Sequence, residues 1–180
     1  MKEKDLNKAC RSLVENICKY SNIDKNDSNI KETPDRIYRM YKDELLIGYK
    51  RNPKDYIKLF DKKYNDKSII SIENIEVKSL CAHHLLPFFG EAKIELEYNE
   101  NAKVLGLSKF YRIVDTFSRR LQLQENLTSE IANFLYDNLD IKWIKVELVA
   151  THTCVGLRGV NNTNNKTKTN VVIGEYNENN

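Results

Sequence analysis

Every histidine of this chain, three in all, lies within three residues of one of two cysteines, and no other sequence feature constrains the fold as much. Cys81 sits in Cys81-Ala82-His83-His84, and Cys154 in His152-Thr153-Cys154. Thiolate and imidazole are preferred ligands of Zn²⁺, and two short pairs from distant segments commonly assemble one tetrahedral site. The fold then has to bring the two segments together. A structural zinc site uses four protein ligands, whereas a catalytic one uses three and leaves a position for water. Five Cys/His side chains are on offer, which suits three ligands with two histidines left for proton transfer. The competing reading is a core with a few hydrogen-bonded polar side chains.

The remaining cysteines carry a different pattern. Cys10 and Cys18 fall in a stretch from roughly Leu6 to Tyr20, in which Leu6, Cys10, Leu13, Val14 and Ile17 recur at helical spacing. Eight residues of helix rise about 12 Å, too far for a disulfide, so both thiols read as small hydrophobes.

With 41% hydrophobic and 31% charged residues, 180 residues can bury a core, and one folded domain is the simplest outcome. No apolar run approaches the roughly 20 residues of a membrane span. The charged start, Met1 to Cys10, is followed by no apolar h-region, so neither a membrane protein nor a secretory signal is expected. The expected setting is the cytoplasm, where thiols stay reduced. Lys+Arg 29 against Asp+Glu 26 leaves a net charge of +3 without a long block of one sign. That balance does not predict nucleic-acid binding, and any anion site has to be local.

The elements follow from patterning. After the first helix and a polar linker, Ser21 to Glu32, Thr33-Pro34-Asp35 reads as N-cap, proline at the first helical position and an acid in the first turn. Ile37, Met40, Tyr41 and Leu45 continue that helix, with Gly48 as its stop. Tyr49 to Lys67 reads as loop with short turns. Ser68 to Val77 and Ala92 to Tyr98 read as strands flanking the Cys81–His84 cluster. Val104 to Leu107 leads to Ser108 as N-cap of a helix carrying Phe110, Ile113, Val114, Phe117 and Leu121. A further helix spans about Asn126 to Leu139. Trp143 to Ala150 alternates as a strand and delivers His152 and Cys154 at its end. Val160 to Thr169 reads as a mobile polar loop, Asn170 to Tyr176 as a last strand, then a polar tail. Helices, two strands, two helices and two strands make an α+β fold with an antiparallel sheet.

Two segments could recognise a ligand. Gly106-Leu107-Ser108-Lys109 ends a strand and opens a helix, where free N–H groups favour an anion, and Lys109 and Arg112 share one side of it. This is either a phosphate site or a solvated basic turn. Gln124-Glu125 lies between two helices, where a carboxylate either stabilises a helix start or accepts two hydrogen bonds from a guanine edge. Arg158, four residues after Cys154, adds a cation near the proposed metal.

These residues together resemble the GTP cyclohydrolase I family. Its Ser-x-Cys-Glu-His-His-x-x-Pro-Phe segment is matched by Ser79-Leu80-Cys81-Ala82-His83-His84-Leu85-Leu86-Pro87-Phe88. Its Gly-Leu-Ser-Lys-x-x-Arg-Ile-Val is matched from Gly106 to Val114, and its Ser-Arg-Arg-x-Gln-x-Gln-Glu-x-Leu-Thr from Ser118 to Thr128. Its Thr-His-x-Cys-x-x-x-Arg-Gly is matched from Thr151 to Gly159. The likeness covers roughly Thr33 to Gly174, and four motifs in order make chance agreement implausible. The resemblance implies a tunnelling fold, an antiparallel four-stranded sheet with helices on one face, over residues 67–180, preceded by an N-terminal helical segment over 1–66. It implies Zn²⁺ on Cys81, His84 and Cys154, with His83 and His152 as catalytic histidines. Ser108, Lys109, Arg112 and Arg158 would hold the triphosphate of GTP, and Gln124 and Glu125 would read its guanine. The implied reaction converts GTP and water to 7,8-dihydroneopterin triphosphate and formate, the first step toward tetrahydrofolate and related pterins. The implied assembly is a homodecamer of two stacked pentamers. The sequence departs from the family at Ala82, where a glutamate is usual, and in ending at Asn180 without the C-terminal helix of many members.

Three other classes compete. A closed zinc module without catalysis would leave the spare histidines without a role. A zinc deaminase would want His-x-Glu and Pro-Cys-x-x-Cys, which the chain lacks. A tunnelling-fold enzyme acting on another purine or pterin, or a catalytically inactive member, would not need Gln124-Glu125 together with Lys109, Arg112 and Arg158.

Overall fold

The computed structural model describes residues 2–63 and 68–176. The expected boundary between residues 66 and 67 and the polar tail after Tyr176 lie outside the described residues. By its contacts the chain divides into two units, Met1–Ile47 and Gly48–Asn180.

The first unit is helical. Helix α1 (Lys2–Ser21) packs on α2 (Thr33–Arg39), with an ion pair of 3.0 Å between Arg11 and Asp35. Its buried row is Cys10, Val14 and Cys18, a strict i, i+4 series, whereas Leu13 and Ile17 are each 52% exposed. The expected apolar face is therefore rotated toward Cys18. Thr33 is not the N-cap of α2. Glu32 takes that position, and the Thr33 hydroxyl accepts from Arg36 Nη2 at 2.8 Å, while Pro34 stands in the first turn as expected. Beyond α2 the helix widens into a π-turn, Met40–Leu45, in which Leu46 N–H donates to Tyr41 O at 2.9 Å.

The second unit is a sheet with helices. Two 3₁₀ turns, Ile47–Tyr49 at the junction of the units and Pro53–Tyr56 beyond it, lead to a short strand, β1 (Leu59–Asp61), within the segment expected to be loop. Strands β2 (Ile69–Cys81) and β3 (Pro87–Tyr98) form a long hairpin. Strand β4 (Lys103–Leu105) pairs with β1, and helix α3 (Leu107–Ser118) follows. The two-residue strand β5 (Leu121–Gln122) precedes α4 (Gln124–Asn138) and β6 (Ile141–His152). A single helical turn, α5 (Thr153–Gly156), and β7 (Thr167–Gly174) complete the unit. The main sheet runs β5-β2-β3-β6-β7. Its four long strands are antiparallel, as the sequence predicts, and β5 adds a parallel edge to β2.

Core formation follows the periodicities. Leu127, Ile131 and Leu135 of α4 and Phe110, Ile113 and Val114 of α3 are buried with Ala92, Ile94 and Leu96 of β3 and Val146, Leu148 and Ala150 of β6. Helix α3 packs on β2, and α4 on β6 and β7. In β2 the buried residues change parity, from Ile72 to Ile75 and Val77, because a bulge at Asn74 (φ 55°) inserts one residue. Gly90 leaves no room for a side chain between β3 and β6: a Cβ there would stand 1.9 Å from Val149 O on β6.

Candidate metal centre and its surroundings

The register of the sheet brings the two Cys/His segments together. Phe88 on β3 stands opposite His152 on β6, so the turn joining β2 to β3 lies beside the end of β6. In that turn Leu85 N–H donates to Cys81 O at 2.9 Å, closing one helical loop that sets Cys81 and His84 on the same side. Leu85 takes a left-handed φ of 54°, and Cys81 N–H donates to Leu86 O at 2.8 Å to lock the turn. Across from it, the chain leaves β6 directly into α5, which presents Cys154, and the Thr153 hydroxyl donates to Pro87 O.

Cys81, His84 and Cys154 each offer a ligand atom, and these atoms all lie within 4.8 Å of one another. Cys81 Sγ is 3.8 Å from Cys154 Sγ and 3.9 Å from His84 Nδ1. Two sulfurs at about 2.3 Å from one tetrahedral zinc stand roughly 3.8 Å apart, so the donor set fits that ion. The sulfurs are far beyond bonding distance, and both cysteines are free and buried. Burial, and then the neighbouring Cys81 sulfur, push the Cys154 thiol above its ordinary range, while Arg158 pulls the other way. His83 and His84 are exposed, their rings edge-on at 6.1 Å. Arg158 Nη1 lies 3.0 Å from His84 Nε2.

His152 is held from several directions. Its ring stacks on Phe88 at 4.6 Å, its Nε2 is 2.7 Å from Gln124 Oε1, and its main chain pairs with the Asn165 side chain through both N–H and C=O. Burial lowers its pKa, partly offset by the nearby Glu125 carboxylate. Glu125 is exposed in the first turn of α4. Gln124, for which the resemblance implies a guanine contact, is turned inward and only 2% exposed. Its Nε2 donates to Leu148 O at 3.1 Å, Thr167 O at 2.9 Å and Thr169 Oγ1 at 3.1 Å.

Ser108, Lys109 and Arg112 form a separate group on α3. Gly106, not Ser108, caps that helix, because the chain leaves β4 extended at Gly106, whose carbonyl accepts from Lys109 N–H at 2.8 Å. Arg112 lies over the Tyr56 ring at 6.0 Å and lines a cleft with Arg51, Tyr111 and Asp115. Among the described residues, no hydrogen bond, ion pair or ring contact joins this group to the Cys81–His84–Cys154 cluster.

Asn165 and Thr169 were not foreseen. Their segment reads as mobile loop in an asparagine-rich chain, yet β7 begins at Thr167 and Asn165 is tied to His152. No residue-type pattern marks such a partner, since only the strand register supplies it.

Relatives named GTP cyclohydrolase 1 share much of the sequence. Those of Campylobacter jejuni (strain RM1221), Leptospira biflexa and Clostridium kluyveri are 39%, 38% and 37% identical. They cover 95%, 92% and 94% of this chain and 88%, 88% and 87% of their own lengths. The solved structure of the archaeosine synthase QueF-Like in the apo form matches with a TM-score of 0.50 at 15% identity. It covers 62% of this chain and 99% of that one, a likeness of fold that agrees with the tunnelling architecture. The family model described as GTP cyclohydrolase I matches residues 10–180, and the chain belongs to that family.

Proposed function

We propose that the chain is a zinc-dependent GTP cyclohydrolase that converts GTP and water to 7,8-dihydroneopterin triphosphate and formate in the cytoplasm, opening a route to tetrahydrofolate-type pterins. The observation that carries this reading is the open three-ligand cluster of Cys81, His84 and Cys154, with His152 on the adjoining residues. A zinc ion bound there supplies Lewis acidity and brings the pKa of water toward 7.

The chain's own residues account for the remaining tasks. Glu125 accepts hydrogen bonds from N1–H and the 2-amino group of guanine, which orients the purine. Ser108, Lys109 and Arg112 on α3 and Arg158 beside His84 supply donors and positive charge that bind the triphosphate. His152, protonated on both ring nitrogens, gives the proton of its substrate-facing nitrogen to N7 and returns to the neutral ring, so that the imidazole ring of the purine accepts electron density when water adds at C8. His83, exposed beside the cluster, assists ring opening and rearrangement of the ribose. Among the described residues, no hydrogen bond, ion pair or ring contact joins the α3 group to Cys81, His84 and Cys154 of the same chain. That arrangement suits a site completed by a neighbouring copy in a homodecamer of two stacked pentamers.

The deciding experiment is GTP turnover on purified protein with zinc quantified in the same sample, followed by formate release and fluorescence of the oxidised pterin. Equal amounts of formate and pterin, both lost on chelation, are expected. Zinc-loaded protein that leaves GTP intact overturns the proposal, and Ala82→Glu then tests whether the departure at that position is responsible.

A further inference from the structure

The buried amide of Gln124 has a partner set that determines how it is oriented. Leu148 O and Thr167 O are carbonyl oxygens and only accept, so the atom facing them is the amide nitrogen, which donates to both. Thr169 Oγ1, 2.7 Å from Thr128 Oγ1, takes a further contact from the same nitrogen. The amide oxygen is thereby left facing His152 Nε2 at 2.7 Å, and an oxygen there can only accept. The proton of that bond consequently sits on His152 Nε2. Phe88 stacks on the ring face and Asn165 pairs with the main chain, so ring plane and backbone are held as well. Among the described residues no partner occupies Nδ1.

We propose that Gln124 is a positioning residue that holds His152 as its Nε2–H tautomer and leaves Nδ1 as the ring nitrogen open to substrate, rather than a reader of the guanine base. The proposal rests on the role given to His152 above, and it divides the Gln124-Glu125 pair. Glu125, exposed, faces ligand, whereas Gln124, buried, faces His152. A misplaced reacting group costs about 100-fold for a displacement near 1 Å. Removing Gln124 is therefore expected to lower kcat about 10- to 100-fold and to leave KM for GTP within about twofold.

Two measurements test this on the zinc-loaded full chain. The first is magic-angle-spinning NMR on protein labelled with ring-¹⁵N histidine above pH 8, where the three histidines give few signals and His152→Gln assigns one of them. The expected result is a protonated Nε2 and unprotonated Nδ1 on His152, and loss of that pattern in Gln124→Met. A proton on Nδ1 in the wild type overturns the proposal. This measurement involves no GTP, so it stands even if the chain turns over no GTP and the proposed function fails. The second is steady-state kinetics of Gln124→Met with GTP and with inosine triphosphate, which lacks the 2-amino group. Reduced kcat with unchanged KM and unchanged preference for GTP supports positioning. A rise in KM with loss of that preference shows a base reader and overturns it. If Gln124→Met does not fold, Thr169→Val, which removes one partner of the amide, takes its place with the same outcomes in smaller degree.

Discussion

Cys154 illustrates how a proposed metal ligand is prepared at the level of one residue. Its thiol is held above the ordinary range by burial and by the Cys81 sulfur, so at neutral pH the metal-free residue keeps its proton. A metal must displace that proton. Zinc binding at pH 7 is therefore expected to release protons, and the affinity should fall about tenfold per pH unit and per proton released as the pH drops. Calorimetry in two buffers of different ionisation enthalpy measures the release, and an affinity independent of pH between 6 and 8 contradicts the assignment. Cys154→Ala should lose zinc and turnover together; retention of both would remove Cys154 from the ligand set. Glu125→Gln should keep zinc while losing preference for GTP over inosine triphosphate, because a carboxamide cannot accept from both guanine donors in the same way. A calorimetric GTP affinity equal to that of the wild type would take Glu125 out of base recognition.

Two elements converge on the metal centre, the β2–β3 turn and the β6–α5 junction, and each carries a testable constraint. Arg158 beyond α5 lies against His84 Nε2 in the β2–β3 turn. A guanidinium only donates, so Nε2 accepts and the neutral ring holds its proton on Nδ1. A metal held by Cys81, His84 and Cys154 would use Nδ1, the His84 atom facing the Cys81 sulfur, and would leave the ring proton on Nε2, where it no longer accepts from Arg158. Zinc loading should then free Arg158 for an anion, and inorganic triphosphate should bind several-fold tighter to zinc-loaded than to metal-free protein. A difference that persists unchanged in Arg158→Ala would rule out this coupling. The strands that set the two elements side by side depend on close approach at Gly90. Its missing Cβ would meet Val149 O at 1.9 Å and Ala150 Cα at 2.6 Å, backbone atoms that cannot swing aside. Gly90→Ala should cost about 1–3 kcal/mol in denaturant unfolding and disturb zinc binding by shifting β3 against β6.

At the scale of the whole molecule, the proposed assembly predicts a sedimenting species of roughly ten times the 21.1 kDa chain mass, and a monomer at micromolar concentration would leave the α3 cations without the metal centre they are meant to serve. How much of this was legible in the sequence varies with the residue. Cys81, Cys154 and the histidines beside them announced themselves as candidate ligands because ligand chemistry belongs to side-chain type, whereas side-chain type alone left His83 and His84 equivalent. The long strands and the helices α3 and α4 were legible for a similar reason, since periods of 2 and 3.6 are local properties of the chain. The rotated face of α1, the capping of α3 by Gly106 and the bulge at Asn74 were not, because local geometry and packing select among positions that the pattern leaves equivalent. Gln124 shows the limit most clearly: it stands next to Glu125 in sequence, yet at the start of α4 adjacent side chains point about 100° apart. One faces solvent and the other faces β6 and β7. The sequence by itself determined which segments offer candidate donors to a metal and to an anion, through side-chain type and spacing. Only the tertiary structure decided that His152 takes its partners from Gln124 and Asn165, because those contacts depend on how strands and helix register against each other across distant segments.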